Sequence, residues 1–244
     1  DHPYIHIPEV VPELSTGRVL TTELVNGHTW EELLTWDQRE RDLAGETIFR
    51  FVFRSLYRMR AFNGDPHPGN YLFHRDGRVT FLDFGLVKHF DDEEMGTFIA
   101  MVKAAAFDHD AAAFRAVVER AGMLRPGCPS HDAEVGEYFS QFYESVRDDR
   151  VVTWSSEYAS RIVRHTFDRT SPIAQYATVP KAFVFIQRIN LGLYALLGEL
   201  QARGNYRRIA EELWPFVNGP ASTALAMSEQ PWLRALGSRD RHAG

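Results

Sequence analysis

The chain has 244 residues, 44% of them hydrophobic, 13% aromatic and 25% charged; at about 150 residues per domain this is one or two globular domains and excludes a disordered chain. A formal net charge of −6 leaves no basic field to gather a phosphate backbone, so no nucleic-acid partner is expected. One cysteine, Cys128, excludes an intramolecular disulfide framework and a multi-cysteine zinc site, and suits a reducing, cytoplasmic location.

In chain order, residues 4–11 and 18–25 read as two strands separated by Pro12 and the turn residues Ser15, Thr16 and Gly17. Two strands alone make a marginal sheet. Together with a first residue that is Asp and not Met, this creates the expectation that upstream strands are missing. Thr29 with Glu32 signals a short capped helix, and a second helix follows to about Arg60, apolar on most of its surface except at Arg50, Arg54 and Arg58. A Gly/Pro-rich loop over 63–69 leads into apolar runs at 71–73 and 79–84 around Asp76-Gly77, a hairpin signal. Beyond Gly85 the pattern reads as helices over 92–106, 109–121, 133–147, 155–166, 180–203 and 206–217. No run reaches the roughly 18 uninterrupted apolar residues of a membrane span; the best, 182–200, is interrupted by Gln187, Arg188 and Asn190.

The chemistry is concentrated in Asp65-Pro66-His67-Pro68-Gly69-Asn70 and, thirteen residues after the Asn, Asp83-Phe84-Gly85. With Asp76-Gly77 as a two-residue type I′ turn, Leu72 would oppose Phe81 and Asn70 would oppose Asp83. Directly opposed residues share a face, with Cβ atoms about 4.5–5.5 Å apart. The pair would then offer an amide oxygen and a carboxylate, hard ligands that suit Mg²⁺ with waters and phosphates completing the shell. Asp65, on a loop stiffened by two prolines, is placed to orient a hydroxyl nucleophile or accept its proton. The order D-x-x-x-x-N, hairpin, D-F-G matches the catalytic and metal loops of protein kinases.

The segments 63–70 and 81–85 resemble the UbiB/AarF family of atypical protein-kinase-like proteins, which are linked to quinone and isoprenoid-lipid biology. Residues 18–27 resemble that family's last N-lobe strand and hinge, and residues 180–194 its C-terminal helical region. The resemblance implies an α+β, mainly α, kinase-like C-lobe with a short N-terminal strand pair and hinge and most of the N-lobe missing. The division would fall between residues 1–27, the last N-lobe strands and hinge, and 28–244, the helical C-lobe. It implies an ATP- and Mg²⁺-dependent kinase or ATPase in which Asp65 is the catalytic carboxylate, Asn70 and Asp83 hold Mg²⁺, the backbone of Glu23, Leu24 and Val25 pairs with the adenine edge, and Thr22 is the gatekeeper. His67 stands where many kinases carry a phosphate-contacting lysine. Implied partners are a nucleotide, lipid or quinone-biosynthesis proteins, and a membrane surface contacted peripherally.

Departures from ordinary kinases shape the expectation further. Gly64 replaces the arginine before the catalytic Asp, so control by a phosphorylated activation loop is not expected. No Ala-Pro-Glu segment follows Gly85, which favours a small molecule, a lipid head group or ATP hydrolysis over a peptide acceptor. The glycine- or alanine-rich phosphate cover and the Lys–Glu pair have no counterpart upstream of the hinge, so this portion alone is expected to lack full catalytic competence. Two alternatives stand beside this reading: an aminoglycoside- or choline-type phosphotransferase, whose loops also resemble G-D-x-H-P-G-N, and a non-catalytic nucleotide-sensing scaffold. The acids at 91–94 read as a helix start and not a cation site, the three arginines as a solvated or ion-paired edge, His74 as a surface residue and Cys128 as a loop thiol. The stripe Ile186, Ile189, Leu193, Leu196 and Leu200 reads as core.

Overall fold

A computed structural model describes residues 2–239. Along the chain run β1 (Ile5–His6), α1 (Trp30–Leu34), α2 (Gln38–Met59), β2 (Ala61–Asn63), β3 (Tyr71–Phe73), β4 (Val79–Phe81), β5 (Val87–His89), α3 (Asp92–Val102), α4 (Ala111–Arg120), α5 (Asp132–Ser140), α6 (Glu144–Arg147), β6 (Val152–Thr153), α7 (Ser156–Phe167), α8 (Lys181–Leu200), β7 (Arg203–Gly204), α9 (Tyr206–Leu213) and α10 (Ala224–Arg239). The described residues adopt the mainly helical α+β class that the resemblance implies.

The N-terminal segment differs from its expected pair of long strands. Pro8 has no N–H to donate and Pro12 opens a 3₁₀ turn, so regular pairing stops after Ile5–His6, which lie parallel to Val79–Thr80 of β4. The rest meets as single contacts, a bridge between Val10 and Thr22 and a bond from the Glu23 N–H to the Glu9 carbonyl at 2.9 Å.

Reciprocal side-chain and backbone bonds cap three helices: Thr29 with Glu32 for α1, Asp37 with Glu40 for α2, and Asp91 with Glu94 for α3. The acids at 91–94 are accordingly a helix start. At the other end of α2, Arg60 takes the left-handed conformation (φ 52°) and turns the chain directly into β2. That strand pairs antiparallel with β5, Asn63 opposite Val87. Neither strand was foreseen; β5 fills the stretch between Gly85 and the helix expected from residue 92.

The hairpin register also differs. Tyr71 opposes Phe81, Leu72 opposes Thr80 and Phe73 opposes Val79, one residue from the expected pairing. The His74 N–H donates to the Arg78 carbonyl at 3.0 Å, which encloses a three-residue loop, and Gly77 within it has φ +88°. A turn followed by a left-handed glycine adds the one residue that a type I′ turn omits.

The main core joins Ile48, Phe49 and Val52 of α2 to Ile189, Leu193 and Leu197 of α8 and Tyr206 and Ile209 of α9. A smaller one gathers Phe114, Val118, Leu124, Val135 and Ile173. Cys128 is buried within it, so the expected loop thiol is a packed one. Ile189, Leu193, Leu196 and Leu200 are buried as expected; α8 is long and apolar enough to cross a membrane by length and composition, yet half of that stretch is buried inside the fold. Two of the three arginines of the α2 row are ion-paired, and Arg50 lies inside the fold and not at an edge: it is fully buried and donates to Glu46 at 2.7 Å and to Glu212 of α9 at 2.9 and 3.2 Å, Arg54 meets Glu229 of α10, and Arg58 donates to the Asn218 amide oxygen.

Candidate active site

The site is assembled where β2 leaves α2. Past Asn63 the ladder with β5 continues by one bond, from the Gly64 N–H to the Leu86 carbonyl at 2.6 Å. A Cβ on Gly64 would stand 3.0 Å from the Leu86 side chain and 3.2 Å from its carbonyl, so a larger residue before Asp65 would require Leu86 to shift. The catalytic-loop candidate and the strand after the metal-loop candidate are therefore one unit.

Asn63 ties the two loops together. Its Oδ1 accepts from the Asp65 N–H at 3.2 Å while its Nδ2 donates to the Asp83 carbonyl at 2.7 Å. Asn70 joins from the other side, its Nδ2 donating to the Asp65 carbonyl at 3.4 Å, a long bond. The structure thus links Asn70, Asp65 and Asp83 through backbone groups and Asn63, and not by the cross-strand pairing expected: Asn70 stands opposite Leu82, whose N–H donates to the Asn70 carbonyl at 2.9 Å. Sequence reasoning missed Asn63 because its role depends on the pairing of two three-residue strands; its one trace is a polar residue directly before Gly64-Asp65.

The free valences of this cluster are oxygens. Asp83 Oδ1 accepts from the Gly85 N–H at 2.6 Å, which fixes the carboxylate and leaves Oδ2 without a hydrogen-bond partner among the described residues. The half-buried Asp65 carboxylate and Asn70 Oδ1 are likewise unpartnered among the described residues. Burial and, secondarily, the nearby Asp65 carboxylate push the Tyr71 phenol well above its ordinary range, which leaves it neutral and places it beside Asp65.

His67 opens the short turn Pro68–Asn70, and its Nδ1 accepts from the Gly69 N–H at 3.0 Å, so the neutral ring carries its proton on Nε2. Behind the loop, Pro66 lies against Gly192 of α8 so closely that any Cβ there would collide with the proline ring. Phe84 is held edge-on to Phe51, ring centres 6.3 Å apart, and Phe51 stacks on Phe81 at 3.7 Å. Thr22, Glu23, Leu24 and Val25 lie on the ragged N-terminal segment; the Glu23 N–H is engaged by Glu9, whereas Leu24 is 92% exposed.

Among the described residues no three His, Cys, Asp or Glu side chains form a self-sufficient metal cluster. Asn70 and Asp83 supply hard oxygen donors, few in number, the pattern of a Mg²⁺ held jointly by protein, water and phosphates. The donor chemistry fits Mg²⁺ brought with a nucleotide.

A mainly helical lobe in which a short hairpin joins a D-x-x-x-x-N loop to a D-F-G loop places the chain in the kinase-like class. The model of the ABC1 atypical kinase-like domain family matches residues 1–118. Similar proteins include the atypical kinase COQ8B, mitochondrial, of Rattus norvegicus, 36% identical over 43% of this chain and 20% of its own length. An ABC1 family protein of Schizosaccharomyces pombe, C10F6.14c, is 29% identical over 50% of this chain and 24% of its own. Among solved structures, Rv3197 of Mycobacterium tuberculosis, in its complex with erythromycin, matches 90% of this chain and 55% of that one with a TM-score of 0.69 and 25% identity. The chain therefore spans about a fifth to a quarter of the length of these two curated relatives.

Proposed function

We propose that this chain carries the catalytic and metal loops of an ATP- and Mg²⁺-dependent atypical kinase or ATPase of the UbiB/AarF type. The observation that carries the reading is the Asn63 bridge, which fixes Asp65 and Asp83 to one another while leaving the Asp65 carboxylate and Asp83 Oδ2 available. Asn70 and Asp83 would hold Mg²⁺, which supplies charge neutralisation of the phosphate oxygens. Asp65, oriented through its backbone by Asn63, positions the attacking hydroxyl or water and takes its proton, and neutral Tyr71 borders it without competing charge. His67 offers an Nε2–H toward phosphate, a weaker donor than a lysine ammonium. Val25 N–H is free of backbone partners among the described residues and, with the carbonyl of Glu23, is suited to an adenine edge; Thr22 is the gatekeeper in this reading. The division into a hinge segment, 1–27, and a C-lobe, 28–244, belongs to the same proposal, as do a lipid or quinone-pathway acceptor and peripheral contact with a membrane surface.

The test is binding of a fluorescent ATP analogue to this chain with and without Mg²⁺. Binding is expected to depend on Mg²⁺ and to fall at least tenfold in Asp83→Asn, with the circular dichroism spectrum unchanged. Equal affinity of the variant, or indifference to Mg²⁺, would contradict the proposal.

A further inference from the structure

Residues 2–11 are held to the helical lobe by few contacts. Only Tyr4 among them is buried, and regular pairing with β4 covers Ile5 and His6 alone. A cavity of about 310 Å³, lined by Ile7 and Glu9 of this segment and by Phe51 and Met59 of α2, leaves the two unpacked along that side. The start of the segment is held instead by a carboxylate from the far end of the chain, Glu229 of α10, which is buried and faces two donors. Arg54 of α2 clamps it with both terminal nitrogens, one bond measuring 2.6 Å, and His2 Nε2 meets the same carboxylate at 2.5 Å. On the other side of the His2 ring, Nδ1 accepts from the Tyr4 N–H at 3.3 Å and the Ile5 N–H at 3.1 Å. With Nδ1 an acceptor, the ring proton sits on Nε2 and is donated to Glu229. Burial first and the Arg54 charge second push the imidazole down to about 4, so the ring is neutral at neutral pH. Trp232 of α10 stands edge-on to it, ring centres 4.5 Å apart.

We infer that α10 is a clasp on the N-terminal segment: Glu229, bound to Arg54 and His2 together, positions residues 2–11 on α2 and, through them, residues 21–25. The connection runs along hydrogen bonds. His2 fixes the N–H groups that open β1, and beyond β1 the Val11 N–H donates to the Thr21 carbonyl at 2.8 Å and the Glu23 N–H to the Glu9 carbonyl at 2.9 Å. The His6 ring also meets the Glu23 carboxylate at 2.6 Å. Among the described residues, every hydrogen bond of residues 21–25 runs to residues 6–15 and none to α1–α10, so whatever loosens residues 2–11 loosens 21–25 with them. Glu229 is thus a positioning residue, acting on residues 21–25 without touching them. Its consequence for nucleotide rests on the proposed function, which sets the adenine edge at 23–25; the clasp itself does not.

Two variants of the full chain separate the clasp from its neighbours. His2→Asn keeps an acceptor for the N–H groups two and three residues on but does not reach Glu229, and it leaves the Arg54–Glu229 pair whole. Arg54→Leu with Glu229→Leu removes that pair as a unit, so no charge is stranded, and leaves His2 in place. In both, amide exchange read by NMR is expected to quicken about tenfold at Val11 and Glu23, while His28 and Phe73, bonded to each other at 2.9 Å in both directions, keep their rates. Unchanged rates at Val11 and Glu23 in either variant would overturn the clasp, and so would an equal acceleration at His28 and Phe73, the mark of a lobe loosened throughout. Affinity of His2→Asn for a fluorescent ATP analogue with Mg²⁺ is read alongside and is expected to fall about tenfold. Faster exchange with full affinity would uphold the clasp and overturn the adenine edge at 23–25.

Discussion

Asn63 decides whether three separate loop residues act as one site. Its carboxamide makes two bonds of opposite polarity, accepting from Asp65 and donating to Asp83. Asn63→Ala removes both, at about 1 kcal/mol each; nucleotide affinity in the presence of Mg²⁺ is expected to drop about thirtyfold. Asn63→Asp keeps the acceptor and loses the donor, setting a carboxylate against the Asp83 carbonyl, so it should bind no better than the alanine variant. Titration of the three proteins with the same nucleotide checks this; affinity in Asn63→Asp equal to that of the parent chain would show that the bridge is not what orders the site.

At the scale of elements, Arg50 joins three of them. It is buried on α2, bonded to Glu46 on the same helix and to Glu212 on α9, and donates at 3.0 Å to Thr223, just ahead of α10. Burial opposes its charge, but Glu212 and Glu46 outweigh this and hold the guanidinium above its ordinary pKa. Arg50→Met strands two carboxylates in the core, so it is expected to cost about 3–5 kcal/mol, read as a lower urea midpoint; a loss under about 1 kcal/mol would show the network to be dispensable. Helices α2 and α8 were legible in the sequence, because long stretches with a 3.6-residue period specify their buried face locally, whereas the burial of Arg50 against Glu212 depends on the docking of α9 and was not. The hairpin was legible in place but not in register: Asp76-Gly77 permits a two-residue turn or a longer loop with Gly77 left-handed, and the choice moves every partner by one. Strands β2 and β5 were illegible because three residues carry no periodicity, and their pairing is what places Asn63.

Across the whole molecule, α8 ties the parts together. Asn190 borders an interior cavity, and Gly192, two residues on, supports Pro66 of the catalytic-loop candidate. The core is thus shaped to hold an exposed pair of acidic loops at one face, and the central claim is that these loops receive the metal of a metal–nucleotide complex. Paramagnetic broadening by Mn²⁺ with a non-hydrolysable ATP analogue, read on backbone amides, tests this most directly. Signals of residues 63–70 and 83–85 should vanish first, while those at 91–94, a helix start with its own four acids, persist. Broadening centred on 91–94, with residues 63–70 and 83–85 unaffected, would contradict the account.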